Sequence, residues 1–144
     1  MIEIVEARLE HCIDIVQRLR PFEREALEKL GVVPERFMVE QVTNSIMAWA
    51  GLKDGACGAI WGIRTAGILS DECWIWLTGT ELINENRMAV LRHSIPVVNH
   101  FRSMFRVVQG YVLCDFDCSI KWLRWLGFEL NEPVNGVVYF KMVR

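Results

Sequence analysis

Three carboxylates lie where two predicted strands end: Glu81 follows one strand, and Asp115 and Asp117 follow the other. Partial burial raises the pKa of a carboxyl group toward neutrality, and such a group can take a proton from a reacting centre. Each strand end also has a purely structural alternative. Glu81 can be an exposed carboxylate where a helix begins, and Asp117 can cap a helix. These residues predict acid–base chemistry at the strand ends.

Residues 86–114 carry cations and no acids. Two histidines and four arginines lie there, the latter being Arg87, Arg92, Arg102 and Arg106. A helix beginning near Asn86 would have N–H groups without intrahelical partners and a dipole that favours anions, so Asn86 and Arg87 could hold a phosphate group. Two alternatives stay open: Asn84, Glu85 and Asn86 could simply cap the helix, and the arginines could face solvent or an acidic partner.

Histidines and cysteines predict no further chemistry. His93 and His100 share one side of a helix without a third ligand nearby, so we expect solvent-facing histidines and no metal site. Cys114 and Cys118 flank a strand-to-helix turn, which can lower a thiol pKa, but neither has a base partner. The cysteines are odd in number and scattered, and this favours buried thiols in a reducing compartment. They are Cys12, Cys57, Cys73, Cys114 and Cys118.

Composition limits the classes of protein. The 144 residues are 52% hydrophobic and 24% charged, which predicts one compact domain over residues 1–144. A formal charge of −2 gives no overall attraction to nucleic acid. The longest uncharged stretch, residues 41–52, is short of the roughly 20 apolar residues that cross a membrane. Because the amino terminus also lacks a secretory signal, we expect a cytoplasmic protein.

The elements that position these residues follow from periodicity and turn signals. The predicted order is a strand at Ile2, helices from Leu9, Pro21 and Pro34, a hairpin about residues 53–55, a strand from Cys73, a helix over residues 86–105, a strand to Cys114, a helix from Asp117 to Leu126 and a hairpin about residues 133–136. This order indicates one mixed α/β (α+β) sheet with helices on both faces, in which the strands from Cys73 and to Cys114 are parallel. Ligands bind beyond the carboxyl ends of such strands, near residues 78–87 and 112–119.

Several segments carry a family resemblance. CWIWLTGTEL, VVQGYVLC and CSIKWLRWLGFEL resemble the central strand, splayed strand and short helix of the GNAT (GCN5-related N-acetyltransferase) superfamily. From Trp76 to Phe128, notably in WLTGTEL, VLRHS and IKWLRWLGF, the chain more closely resembles small GNAT-like proteins of tailed phages, some of them internal virion proteins. The resemblance implies a central sheet of about six to seven strands, acetyl-CoA as cofactor, and acetyl transfer to an amine of a protein or small molecule.

The resemblance also implies roles for residues. Glu81 would take a proton from an ammonium acceptor, with Asp117 and Asp115 as alternatives. The residues implied to bind acetyl-CoA lie on the central strand and long helix, and are Leu77, Thr78, Gly79, Thr80, Asn86, Arg87 and Arg92. Those implied to contact the acceptor are Trp61, Trp76 and Trp122. Gly79→Trp is then predicted to fill the cofactor cleft without disturbing the fold.

Three departures from the family pattern leave two functions open. No glycine lies in residues 82–87, where the family has a glycine-rich pyrophosphate loop; Leu123 stands where a tyrosine acts as general acid, and Phe116 where an asparagine is expected. The chain is therefore predicted to be an acetyl-CoA-dependent acetyltransferase, or else a catalytically inactive GNAT-like phage protein. The inactive protein would be a virion component or would bind a host protein, and its location would be the host cytoplasm or the virion.

Overall fold

The computed structural model describes residues 1–113 and 116–144, which contain seven strands and six helices. The strands are β1 (Ile2–Glu6), β2 (Met47–Lys53), β3 (Ala56–Arg64), β4 (Glu72–Gly79), β5 (Val107–Leu113), β6 (Glu129–Leu130) and β7 (Val137–Val143). The helices are α1 (Leu9–Gln17), α2 (Pro21–Lys29), α3 (Pro34–Asn44), α4 (Glu81–Glu85), α5 (Arg87–Met104) and α6 (Asp117–Leu126). None of the helices described could cross a membrane.

The strands form one sheet in the order β1-β2-β3-β4-β5-β7-β6. Strands β4 and β5 are parallel, whereas β1–β2, β2–β3, β5–β7 and β6–β7 are antiparallel. The predicted mixed α/β sheet and its parallel pair are therefore confirmed. The β2–β3 hairpin is confirmed as well, since Asp54 and Gly55 both have the positive φ that its tight turn requires (49° and 86°).

The chain divides into two units. The first unit comprises Met1–Arg64 and Leu77–Val90, and the second comprises Thr65–Trp76 and Leu91–Arg144. In the first unit, α1 packs against α3 and β3. Cys12, Ile15 and Val16 recur at helical spacing on α1 and are at most 1% exposed, which gives this unit an apolar core.

The second unit has its own core of strand and helix side chains. Val108, Val138 and Phe140 of its strands are buried, as are Phe101 of α5 and Leu123 of α6. Gly127 ends α6 in the left-handed conformation (φ 102°), as its position after the apolar stripe predicts.

One of the two predicted helix starts is confirmed. The long helix α5 begins directly after Asn86, whose carbonyl accepts a hydrogen bond from the N–H of Val90 at 3.0 Å, so Asn86 is at its N-cap position and also ends α4. The other prediction was wrong, because Asp117 is the first residue of α6 and Phe116 occupies the N-cap position. Asp117 therefore lies one residue inside the segment that the backbone hydrogen bonds define.

Candidate functional site

The carboxyl end of β4 is held by the buried residue Thr80, which is 1% exposed. Its backbone N–H and its hydroxyl both donate to the carbonyl of Gly58 on β3, at 3.1 and 3.0 Å. The same hydroxyl accepts a hydrogen bond from the N–H of Leu82 at 3.2 Å, which makes Thr80 the N-cap of α4. One side chain therefore fixes both the end of the strand and the start of the helix.

Two glycines allow α4 to approach the strands closely. A Cβ at Gly58 would lie 3.0 Å from Cβ of Leu82, and a Cβ at Gly79 would lie 2.3 Å from Cδ1 of Ile83. A side chain at Gly79 would require the flexible end of Ile83 to move, and the effect of Gly79→Trp on the fold stays a prediction. The glycines needed here lie in β3 and β4, not in the connection that follows them.

Several amides of this connection already have partners within the chain. Leu82 donates to the hydroxyl of Thr80, Ile83 donates to the carbonyl of Thr80, and Asn86 donates to carbonyls of α4. The side chain of Asn86 also donates to the carbonyl of Leu82, at 2.8 Å. The N–H groups of these three residues are therefore committed to helix α4, so they do not form a cradle for phosphate.

A partly buried ion pair adjoins the same strand end. The guanidinium of Arg20, at the N-cap position of α2, donates from Nε to Oε1 of Glu23 at 2.5 Å, and the two side chains are 16% and 14% exposed. Glu23 also accepts a hydrogen bond from the backbone of Gly79. A Cβ at Gly79 would lie 3.8 Å from a terminal nitrogen of Arg20. Both members of the pair therefore lie against the last residue of β4.

Burial dominates the ionisation of Glu23. Loss of solvent raises the pKa of its carboxyl group, and the negative charge of Glu81 acts in the same direction. The hydrogen bond and positive charge of Arg20 and the hydrogen bond from Gly79 oppose this effect without cancelling it. The environment of Glu23 therefore favours the protonated form of its carboxyl group more than water would.

The predicted bases are more exposed than Glu23. Glu81, the first residue of α4, is exposed and accepts a hydrogen bond from the side-chain amide of Asn84 at 3.0 Å. It lies at the predicted strand end, but it lacks the partial burial that its predicted role requires. Asp117 is exposed at the start of α6, and Asp115 lies outside the described residues.

The residues predicted to bind acetyl-CoA lie in both units. Leu77 is exposed, Thr78 is half-buried, and Gly79 and Thr80 are buried, all at the carboxyl end of β4 in the first unit. Arg87, the first residue of α5, is exposed in the same unit, and Arg92, later on the same helix, is exposed in the second unit. The structure therefore brings the predicted strand residues and Arg87 into one unit.

The pairing of β4 with β5 covers a short part of each strand. Glu72, Cys73 and Trp74 align with residues 107–109, whereas β4 continues to Gly79 and β5 to Leu113. A Cβ at Gly110 would lie 2.9 Å from the carbonyl oxygen of Ile75, directly after the last aligned pair. The parallel ladder therefore ends well before either strand does.

The tryptophans predicted to contact an acceptor have different surroundings. Trp61 stacks on Trp49 with ring centroids 6.5 Å apart, and its buried Nε1 has no hydrogen-bond partner in the part of the chain that is described. Trp122 of α6 donates from Nε1 to the hydroxyl of Ser94 on α5 at 3.1 Å. Trp76 is half-buried near the end of β4. Trp122 therefore joins two helices of the second unit, whereas Trp61 retains an unused donor.

The positions that depart from the family pattern are apolar here. Leu123, which stands at the tyrosine position, is 7% exposed and belongs to the core of the second unit. It has no proton to donate, and its burial explains why an apolar residue is stable there. Phe116, at the asparagine position, precedes α6 as its N-cap residue.

Cysteines and histidines do not extend the site. Cys12, Cys57 and Cys73 are buried as predicted, and burial raises the pKa of Cys57 and of Cys73 to about 12. Cys118 is exposed, so its predicted burial was wrong, and Cys114 lies outside the described residues. His93 and His100 are solvent-facing, as predicted. Within residues 1–113 and 116–144, no group of three potential metal ligands occurs.

Comparison with known proteins identifies the fold. No protein-family model matches the chain, and no curated protein sequence matches it. An acetyltransferase of the GNAT family from Streptococcus pneumoniae is structurally similar over 100% of both chains, with 14% identity and a TM-score of 0.66. The ribosomal-protein-S18-alanine N-acetyltransferase from Escherichia coli is similar over 99% of this chain and 94% of its own, with 16% identity and a TM-score of 0.67.

A third structure was determined with coenzyme A. It is the PaiA N-acetyltransferase from Thermoplasma acidophilum, similar over 100% of this chain and 99% of its own, with 10% identity and a TM-score of 0.70. The chain therefore has the GNAT fold, as its element order and sequence motifs predict.

Sequence reasoning missed the Arg20–Glu23 pair. Both residues lie in the amino-terminal third of the chain, where acids and bases are numerous and the spacing of three is common on helices. The signal that could have indicated them is Pro21, because a proline at a first helical position fixes where α2 begins. Their position beside Gly79 is a tertiary contact that no local pattern contains.

Proposed function

We propose that this chain is an N-acetyltransferase that transfers the acetyl group of acetyl-CoA to an amine. The observation that carries the proposal is a GNAT fold over the whole chain, in which the parallel β4–β5 ladder ends at Trp74 while both strands continue. Ligands of open α/β sheets bind beyond the carboxyl ends of parallel strands. The carboxylates of Glu23 and Glu81 lie at that end of β4.

The fit of acetyl-CoA differs between its two halves. The strand end formed by Leu77, Thr78 and Gly79 could pair its backbone with the extended pantetheine arm. The phosphates do not fit an amide cradle, because Leu82, Ile83 and Asn86 donate within the chain. Instead, the exposed guanidinium group of Arg87, in the same unit, would hold them as a charge contact. Binding should therefore depend strongly on salt.

The proposed chemistry requires a proton acceptor on the protein. When bound, acetyl-CoA supplies the acetyl group as a thioester. The acceptor ammonium must lose a proton to a carboxylate before its nitrogen can form the new C–N bond, and the C–S bond breaks as that bond forms. The nitrogen loses a second proton to solvent as the amide forms, and the released thiolate takes a proton from solvent, since Leu123 cannot donate one. The net products are an amide, coenzyme A thiol and one proton.

The first experiment is calorimetric titration of the folded protein with acetyl-CoA, coenzyme A and S-acetylpantetheine. Micromolar binding of acetyl-CoA, with weaker binding of S-acetylpantetheine, supports the proposal. Thiol release is then measured with a panel of amines that includes N-acetyl-lysine methylamide, alanine amide and diamines. Thiol release that requires both amine and protein would establish the activity, and its absence with every amine would oppose it.

A non-catalytic GNAT-like protein is the second candidate. It is favoured by α4, whose hydrogen bonds engage amides at the position of the phosphate-binding loop, and by the buried Leu123 at the tyrosine position. No heat of binding at millimolar acetyl-CoA would favour this candidate. Three further statements stay predictions made from the sequence. They are the relationship to phage proteins, a virion or host-protein partner, and a cytoplasmic location.

A further inference from the structure

We propose that Glu23 is the residue that takes the proton from the acceptor ammonium, and that Arg20 positions it. This inference rests on the proposed acetyltransferase function and assigns its base to α2, in place of the exposed Glu81 on α4. It follows from the position of Glu23 against Gly79, the last residue of β4, together with the burial of its side chain.

Two hydrogen bonds hold the carboxylate of Glu23 at the strand end, and a backbone bridge holds the segment that precedes its helix. Nε of Arg20 binds one carboxylate oxygen at 2.5 Å, and the backbone of Gly79 donates a second hydrogen bond. An isolated antiparallel bridge between Leu19 and Thr80 joins the segment before α2 to the residue after β4. These contacts fix the carboxylate relative to the strand on which the proposed function depends, as a base must be fixed relative to its substrate.

The exposure of Glu23 suits a base. At 14% exposure the side chain is shielded from bulk water but is still reachable at its surface, by an amine directly or through one water. Glu81 is the other carboxylate that acts on Glu23, and its like charge makes proton uptake by Glu23 easier. Arg20 acts in the opposite sense and keeps Glu23 able to ionise.

The proton transfer balances without a further reagent. The N–H bond of the acceptor ammonium breaks, its electron pair stays on nitrogen, and the proton moves to a carboxylate oxygen of Glu23. The neutral amine then attacks, the nitrogen loses its second proton to solvent as the C–S bond breaks, and Glu23 returns the first proton to solvent after product leaves. The charge of Arg20 stays constant throughout, so its role is to orient the carboxylate.

The test separates a base from a structural ion pair by changing the acceptor. Glu23→Gln keeps the size of the side chain and an oxygen that can accept from Arg20, but it cannot take a proton. With the best ammonium acceptor of the panel, we expect kcat/KM to fall by about 100-fold or more. With hydroxylamine, which is uncharged at neutral pH and needs no base for deprotonation, we expect the variant to retain most of the wild-type rate.

The pH profile supplies a second measurement. The activity of the wild type should fall on the acid side with the pKa of Glu23. Arg20→Gln should move this limb to higher pH because the opposing positive charge is lost, and Glu81→Gln should move it to lower pH because a like charge is lost. Glu25→Gln is the matched control, because Glu25 is an exposed carboxylate on the same helix. It should leave the rate and the profile unchanged.

The outcomes distinguish the two proposals. An equal loss of rate with hydroxylamine and with the ammonium acceptor in Glu23→Gln would overturn the role of Glu23 as a base, and so would an unchanged acid limb in this variant. Disappearance of the acid limb in Glu81→Gln would assign the base to Glu81. A wild type that acetylates neither hydroxylamine nor any amine would overturn the proposed function itself, together with this role.

Discussion

Thr80 and Gly58 are joined by two hydrogen bonds to one oxygen, since the N–H and the hydroxyl of Thr80 both donate to the carbonyl of Gly58. Gly58 lies at an irregularity of the β2–β3 ladder, where Cys57 aligns with Leu52 and Ala59 aligns with Gly51, so Gly58 has no partner of its own in that register. A bulge of this kind re-aims backbone groups. Here it turns a carbonyl toward the end of β4, and α4 begins from that contact.

Replacing Thr80 should destabilise the first unit. Thr80→Val preserves the shape of the side chain but removes the hydroxyl that bonds Gly58 and caps α4 through Leu82. We expect a loss of about 1–3 kcal/mol in the free energy of unfolding, measured by urea denaturation. Thr80→Ser, which retains the hydroxyl, should lose less, and Thr78→Val, at the end of β4, is the control. Equal stability of Thr80→Val and wild type would contradict the assigned capping role.

A methyl group at Gly58 should displace α4. Gly58→Ala places its Cβ 3.0 Å from Cβ of Leu82. Because both atoms are fixed to the backbone, rotation of a side chain cannot relieve this contact. We expect a loss of about 1–3 kcal/mol in unfolding free energy. Gly67→Ala is the matched control, because nothing lies within 4 Å of its added Cβ, and it should change stability by about 0.5 kcal/mol or less. If both variants behaved alike, α4 would not be packed on β3 as described.

Positive charge on α5 should strengthen the binding of acetyl-CoA through its phosphates and should not affect a ligand without them. We expect Arg87→Ala to weaken acetyl-CoA binding by about fivefold or more, on the basis of charge-assisted hydrogen bonds to phosphate. Binding of S-acetylpantetheine, which has no pyrophosphate, should not change. Calorimetry at two salt concentrations measures both, with Arg36→Ala on α3 as an exposed control. Equal weakening for both ligands would place Arg87 elsewhere than at the phosphates.

Thiol labelling should single out Cys118. It is exposed, whereas Cys57 and Cys73 are buried with pKa values raised to about 12, so very little thiolate is present there at neutral pH. With a chromogenic disulfide reagent and native protein, Cys118→Ser should remove a fast phase of labelling. Cys73→Ser should leave that phase intact. Fast labelling that persists in Cys118→Ser would show that Cys118 is not the source of the fast phase.

The sequence predicts the fold well because the fold depends on local signals. The helical spacing of Leu9, Cys12 and Val16, the Asp54–Gly55 turn and Gly127 after α6 each indicate an element that the structure contains. The site was less predictable because it depends on tertiary contacts. The segment after Thr80 has no glycine and reads as a loop, whereas its helical conformation depends on the carbonyl of Gly58, which lies 22 residues earlier in the chain.

The position of the base illustrates the same limit. Glu81 follows β4 directly, so adjacency in sequence favours it, and yet it is exposed. Glu23 lies far from β4 in the sequence but contacts Gly79 in the structure. The sequence shows which carboxylates follow a strand directly. It does not show which of them is buried in the folded protein, and burial is what raises the pKa of a carboxyl group toward neutrality.

The buried carboxyl group of Glu23 should make stability depend on pH. Because burial raises its pKa in the folded protein, the folded state binds this proton more tightly than the unfolded state does. The resulting stabilisation is fully present below the unfolded pKa of about 4.3 and is lost as pH rises through the folded value. Glu23→Gln does not titrate, so the unfolding free energy of wild type relative to this variant should decrease as pH rises through that window and then level off.

Urea denaturation at a series of pH values from about 4 to about 8 measures this difference directly, since the window begins near the ordinary pKa of glutamate. Glu25→Gln, on the exposed side of the same helix, corrects for the loss of one negative charge on α2. A stability difference between wild type and Glu23→Gln that rises with pH would mean that Arg20 outweighs burial and that Glu23 is held as a permanent carboxylate. In that case the Arg20–Glu23 pair would be a structural link between α2 and β4, and a different group would have to take the proton.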